Sequence, residues 1–235
     1  MAVSVVQSSL PLLDSKSEPP ALFDGTTRLY INEKCPFAQR VWIAKNFKGL
    51  DDIKLVNIDL HDKPAWFLEK VYPRGQVPAL EHNGKVTGES LDLLKYLEEE
   101  VGGRPIWPVD ESKKETAQEL LDYASTFVQA GFSALRNKDS NPTEDFGAVL
   151  DHVEAALGKY DGPFFLGEFG VVDATYIPFI ERFQLTFQAF RNYDITAGRP
   201  NITKFIEAVN QVEAYTKTKQ DPQELVQTYK RLLKL

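Results

Sequence analysis

The sequence holds a single cysteine, so a disulfide within the chain is impossible, and such scarcity fits a reducing compartment rather than a secretory one. Only three histidines are present, and His61, His82 and His152 stand too far apart for metal-ligand spacing, so no metal is expected. Positive charge is not in excess. The net charge is −7 with 26% charged residues, which excludes the basic field that draws phosphate backbones, and no nucleic-acid partner is expected. No apolar run approaches the roughly 20 residues that a membrane-spanning helix requires, so no membrane partner is expected either. Residues 1–24 lack the charged-then-apolar order of a secretory signal, carry no arginine as a transit peptide would, and include Asp14 and Glu18. They read as an irregular leader, and a cytoplasmic location is the expectation. What is abundant is core material: 43% apolar residues and 11% aromatics suffice for one large domain or two small ones.

The first half alternates strand and helix patterns. Arg28-Leu29-Tyr30-Ile31 is β-prone, and after three intervening residues Cys35-Pro36 opens a helix expected over 36–48, since proline suits the first helical position. Apolar residues at Phe37, Val41 and Ala44 give that helix a stripe, and Gly49 supplies a stop. A second strand over 53–58 closes a βαβ unit, parallel to the first by the right-handed crossover rule. A short helical piece around 64–69 precedes two β-like runs, 77–82 and 85–87, joined by Asn83-Gly84, a strong hairpin signal. A helix over 89–100 follows. Residues 105–112, with Pro105 and Pro108, read as a linker. Beyond it only helical patterns recur, at 113–136, 144–159, 172–190, 202–218 and 223–233. The expected organisation is therefore an α/β domain over 25–104 and an all-helical domain over 113–235.

Cys35 carries the chemistry most readily. Pro36 lacks an N–H, so the amides of Phe37 and Ala38 at the helix start can face the sulfur, and Lys34 adds positive charge beside it. A lone cysteine is more often an inert buried residue, and the Cys-Pro helix start is what reverses that expectation. The position three after Cys35 is Ala38, so a resolving thiol is missing and any mixed disulfide on Cys35 must be released by an outside thiol. The logic demands a small-thiol cosubstrate. Val77-Pro78, at a strand entry, is where a cis bond is tolerated, although an ordinary trans proline fits as well; a cis bond would offer Val77's backbone groups to an extended ligand. Glu89-Ser90 opens a helix whose free amides attract a carboxylate, with Ser90 as a donor to it and Glu89 as acceptor for an adjacent ammonium; a cap beside a solvated acid is the plainer alternative.

Taken together, Cys35-Pro36-Phe37-Ala38, Val77-Pro78-Ala79-Leu80, Glu89-Ser90 and a helical second half resemble the soluble glutathione transferases of the cysteine-containing classes. The stretch 71–97 is similar to the plant lambda class nearly residue for residue, and the resemblance spans about residues 22–235. It implies an N-terminal thioredoxin-like domain plus an all-α C-terminal domain, Cys35 as nucleophile and Pro78 as the family's cis-proline. It further implies glutathione as cosubstrate, its cysteinyl backbone paired with Val77, its γ-glutamyl end held by Glu89 and Ser90, and Lys63 near its glycyl carboxylate, with Phe37 lining the same site. Gly170-Val171-Val172-Asp173 resembles the family's capping box, with glycine in place of the usual Ser or Thr, so that Asp173 must carry the cap. The class implies a monomeric thiol transferase or deglutathionylase acting on small oxidised or glutathionylated aromatic compounds, with little conjugation. Dehydroascorbate reduction, or ligand binding without catalysis on the same fold, are the alternatives.

A thiol at such a helix start titrates well below the free-thiol value of about 8.5, so alkylation of the native protein by iodoacetamide is expected to level off by about pH 6 to 7. A rate still climbing through about pH 8.5 would mark Cys35 as an ordinary thiol.

Overall fold

Two compact units meet at the bond between Pro105 and Ile106 in the computed structural model, which describes residues 10–137, 139 and 141–234. The first is built on a five-stranded sheet in the order β1-β3-β2-β4-β5, comprising β1 Leu12–Leu13, β2 Arg28–Ile31, β3 Lys54–Ile58, β4 Ala79–His82 and β5 Lys85–Gly88. β2 and β3 run parallel, as a βαβ unit requires, whereas β4 runs antiparallel to β2 with Tyr30 opposite Ala79 and Arg28 opposite Glu81. The β4–β5 hairpin turns on Asn83 and Gly84, both at positive φ (51° and 73°), the backbone that a two-residue turn between twisted strands demands.

Helix α1, Pro36–Lys48, begins on its proline and ends on Gly49 in the left-handed conformation. It is buried on most sides: Gln39, Arg40 and Lys45 are enclosed along with Val41, Trp42 and Ile43. α2, Ser90–Tyr96, is shorter than the sequence pattern suggested. It widens into a π-type turn over Leu97–Val101 and stops at Gly102 and Gly103, both at positive φ.

The segment expected to be an irregular leader is partly structured. Residues 1–9 lie outside the described residues, but Leu12–Leu13 adds a parallel edge strand to β3, and Trp66 Nε1 donates to the Ser17 carbonyl at 2.8 Å. Two residues are too few to leave a periodic signal, so only the pairing reveals the strand. At the other end of this segment, Phe23 donates its amide to Glu81 Oε1 at 2.7 Å. Arg28 bonds both Glu81 and Asp24, and Tyr30 donates to Glu81 Oε2 at 2.6 Å. The Arg28 guanidinium holds the Asp24 carboxyl well below the usual range, while burial and the adjacent Glu81 carboxylate raise the Tyr30 phenol.

The second unit is helical among its described residues: α3 Glu111–Arg136, α4 Pro142–Leu157, α5 Val171–Arg191, α6 Pro200–Val209, α7 Glu213–Thr216 and α8 Pro222–Leu233. The stretch read as a linker is not a free spacer. Ile106 is buried and its carbonyl accepts from the Val171 amide at 3.0 Å, while Asp110 caps α3 by accepting from Lys113. The single helix expected over 202–218 is two: α6 ends at Val209, where both the Asn210 amide and its side chain donate to the Ile206 carbonyl, and the chain turns before Glu213. Phe127, Phe146, Phe183 and Phe187 form the aromatic centre, and α3 approaches α5 so closely that a Cβ on Gly131 would stand 2.3 Å from the Phe183 ring.

Asp173, 1% exposed in the first turn of α5, accepts from the amides of Gly170 (2.7 Å) and Phe165 (3.1 Å), so it carries the cap alone as glycine at position 170 requires. Burial pushes its carboxyl up to about 7 against the opposing pull of those amides. Because the folded chain then keeps this proton longer than the unfolded one (unfolded value ~3.9), the associated stability is full below about pH 4 and is lost as pH rises to about 7. Asp173→Ala strands both amides and is expected to cost roughly 2–4 kcal/mol. In urea unfolding the gap from wild type should be wider at about pH 5 than at about pH 8; an equal gap at both would mean Asp173 does not titrate in that window.

Candidate functional site

Antiparallel pairing of β2 with β4 brings the chain leaving β2 beside the chain entering β4. Cys35 leaves through a turn, its amide donating to the Asn32 carbonyl at 2.9 Å, and becomes the residue that precedes α1 in extended conformation. Asn32 anchors that turn by donating to the Ile58 carbonyl at 2.8 Å and accepting from the Lys34 amide at 3.0 Å. The half-buried Cys35 sulfur stands 3.8 Å from the Val77 carbonyl oxygen, and the Val77–Pro78 bond is cis. The Cys35 thiol lies against Val77's carbonyl, so that group faces the sulfur rather than outward. The sulfur thus stands at the entry of β4 and at the start of α1, whose dipole is positive at that end.

The acid next to this turn went unnoticed in the sequence. Glu33 is half-buried, and desolvation raises its carboxyl while the Lys34 ammonium opposes the shift. Lys34 itself is exposed.

A second group of residues gathers at the start of α2. Ser90 is 7% exposed, and its hydroxyl oxygen accepts from Arg40 Nη1 at 3.1 Å. The same guanidinium lies 5.4 Å from the centre of the Phe37 ring, which is 40% exposed. Glu89 sits at φ 66° and ψ 116°, a sparsely populated backbone for a residue with a side chain, and its exposed carboxylate accepts from Arg74 Nη1 at 2.9 Å. The preceding glycine is required here, since a Cβ on Gly88 would stand 2.1 Å from the Tyr72 hydroxyl. Lys63 packs by Gly75, whose added Cβ would be 3.6 Å from the Lys63 ammonium, two residues before Val77.

Of the residues singled out in the sequence, Cys35, Val77 and Pro78 thus form one contact group, and Phe37 and Ser90 form another through Arg40, with Glu89 adjoining. Arg40 and Arg74 were missed. An arginine in the middle of a helix carries no motif, and only its burial on α1 shows that it must be bonded. Chemically, the first unit offers a sulfur nucleophile beside a backbone edge, a helix start with a hydroxyl donor suited to a carboxylate, and a carboxylate suited to an ammonium.

Comparison with known proteins bears on this geometry. The family model "Glutathione S-transferase, N-terminal domain" matches residues 29–105, and "Glutathione S-transferase, C-terminal domain" matches residues 143–208. Glutathione S-transferase L3 of Arabidopsis thaliana is 52% identical over 221 residues, covering 93% of this chain and 93% of that protein. Glutathione S-transferase L2, chloroplastic, of the same plant is 53% identical over 232 residues, covering 97% of this chain and 78% of that protein. The crystal structure of glutathione transferase Omega 3C from Trametes versicolor superposes with a TM-score of 0.74 at 26% identity, covering 83% of this chain and 90% of that one.

Because the Arg74–Glu89 pair is exposed on both sides, it contributes at most a few tenths of a kcal/mol to stability. Glu89→Gln is therefore expected to leave the unfolding midpoint nearly unchanged while weakening glutathione binding several-fold, read by calorimetry on the same samples. Unchanged binding would assign Glu89 to the surface pair alone.

Proposed function

Since the chain belongs to the glutathione S-transferase family, with lambda-type relatives, we propose that it is a glutathione-dependent thiol transferase and deglutathionylase working through a mixed disulfide on Cys35. The observation that carries this reading is the half-buried Cys35 sulfur at the start of α1 beside the cis Val77–Pro78 bond, in a chain with no second cysteine. The Cys35 thiolate attacks the glutathionyl sulfur of a mixed disulfide substrate. A Cys35–glutathione disulfide forms, the substrate's own S–S bond breaks, and the departing thiolate takes up a proton. Reduced glutathione, as its thiolate, then attacks the glutathionyl sulfur, releasing oxidised glutathione and regenerating Cys35. A hydroxyl or phenol in this position could only orient glutathione's thiol for conjugation; a cysteine forms the covalent intermediate instead, so conjugation is a minor activity.

Glutathione's γ-glutamyl carboxylate fits the start of α2, where the free amides and the Ser90 hydroxyl donate, and its ammonium fits Glu89. Its cysteinyl backbone fits Val77, and its glycyl carboxylate fits Lys63, whose ammonium has no ion pair among the described residues. The exposed Phe37 ring near the start of α1 supports small oxidised or glutathionylated aromatic compounds as second substrates. No helix among the described residues is long and apolar enough to cross a membrane. We read the protein as a cytoplasmic monomer, from its scarcity of cysteine and its likeness to the lambda type. Sedimentation and a fluorescent fusion test those two points, the second pointedly because one relative is named as chloroplastic.

Incubation with oxidised glutathione followed by intact mass should show one glutathionyl group on the wild type and none on Cys35→Ala, with thiol transferase activity abolished in the variant. Cys35→Ser should retain glutathione binding and gain weak conjugation. Absence of the adduct on the wild type, or full activity in Cys35→Ala, would remove Cys35 from the mechanism.

A further inference from the structure

Ser90 can serve a carboxylate only if its single hydroxyl proton points at the ligand rather than back into the protein. Nothing in serine itself enforces this, because the hydroxyl rotates freely to whichever acceptor is near. Arg40 supplies the missing constraint. Its guanidinium is a donor without acceptor capacity, 4% exposed in the middle of α1, and its Nη1 lies 3.1 Å from the Ser90 oxygen. With one lone pair of that oxygen occupied by an N–H, the hydroxyl proton is excluded from the Arg40 side and is turned away from it. The same guanidinium carbon lies 5.4 Å from the centre of the Phe37 ring, one helical turn back toward Cys35.

We propose that Arg40 is a positioning residue of the glutathione site, which fixes Ser90 as a donor toward the γ-glutamyl carboxylate and at the same time holds the exposed Phe37 ring in the first turn of α1, two residues after the nucleophile. It touches neither the sulfur nor the reacting atoms. Its geometry makes the two functions inseparable: the guanidinium is planar and rigid, so its bond to Ser90 and its contact with the Phe37 ring are set by one side-chain orientation. A lysine in the same place would still donate to Ser90 but would offer no flat face to the ring. The proposal rests on the reading of Ser90 as a glutathione ligand.

A double-mutant cycle on the whole chain tests it, with equilibrium binding of reduced glutathione as the readout, so that the outcome is independent of whether Cys35 forms a mixed disulfide. Ser90→Ala and Arg40→Met are each expected to weaken binding by roughly three- to tenfold, and the double variant should be no weaker than the worse single one, because both substitutions remove the same oriented hydroxyl. Arg40→Lys should restore most of the glutathione affinity while raising the Michaelis constant for an aromatic second substrate, a split that a purely structural role would not produce. Multiplying effects in the double variant, or wild-type glutathione binding in Arg40→Met, would overturn the proposal. If Arg40→Met does not fold, as judged by circular dichroism, Arg40→Leu, which likewise has no donor, takes its place in the cycle with the same expectations. Wild-type binding in Ser90→Ala would instead refute the underlying assignment of Ser90, whereas a missing glutathionyl adduct on Cys35 would refute the mechanism and leave the Arg40–Ser90 coupling standing.

Discussion

The pairing of β2 with β4 is the constraint on which the site in the first unit depends, and that pairing is locked by one buried carboxylate. Glu81 on β4 accepts from Arg28 and Tyr30, two residues of β2 that flank Leu29, and from the amide of Phe23 ahead of that strand. A slip of the register by one residue would carry Glu81 to the opposite face of the sheet and leave Arg28 and Tyr30 buried without it. With the register held, Tyr30 faces Ala79, and the segments running beyond these two residues place the Cys35 sulfur 3.8 Å from the Val77 carbonyl. A buried ion pair of this kind is weak evidence for net stabilisation, whereas removing one partner leaves the other charge buried and uncompensated, which penalises any register that separates them.

The same economy governs the join between α1 and α2. A helix whose sides are nearly all buried cannot leave its polar side chains unsatisfied, so Arg40 must bond within the unit, and its partner is the first residue of α2. Burial of α1 thus fixes a hydroxyl on a neighbouring helix. The positive φ of Glu89 and the absence of a side chain at Gly88 belong to the same arrangement, since the chain must leave β5 sharply past Tyr72 for α2 to begin where it does.

Within the helical unit, α5 plays the corresponding part. Its aromatic residues Tyr176, Phe183 and Phe187 reach the rings of Phe127 and Phe146, its start is tied down by Asp173, and its close approach to α3 exists because position 131 is glycine. An enclosed carboxylate whose bonds are all to backbone amides is a strong local cap, yet its desolvation raises its proton affinity, so cap strength and pH sensitivity come from the same burial.

The alternation of strand and helix, the Asn83-Gly84 hairpin, the all-helical second half and the lone Cys35 before Pro36 were legible in the sequence, because each is a local rule about backbone conformation or composition. Glu89-Ser90 and Val77-Pro78 could be singled out from local chemistry but not separated from a helix cap or an ordinary strand-edge proline, and Lys63 came into view only through family resemblance, because no local pattern distinguishes a ligand-binding side chain from a structural one. What only tertiary structure decided was what local patterns could not carry: the edge strand Leu12–Leu13, too short for periodicity; the break between α6 and α7 after Asn210; and the placement of the Cys35 sulfur against the Val77 carbonyl at the entry of β4. Arg40 belongs to that second class as well, since its meaning lies fifty residues away at Ser90, and a chain's local preferences carry no information about which buried donor will meet which acceptor once the elements pack.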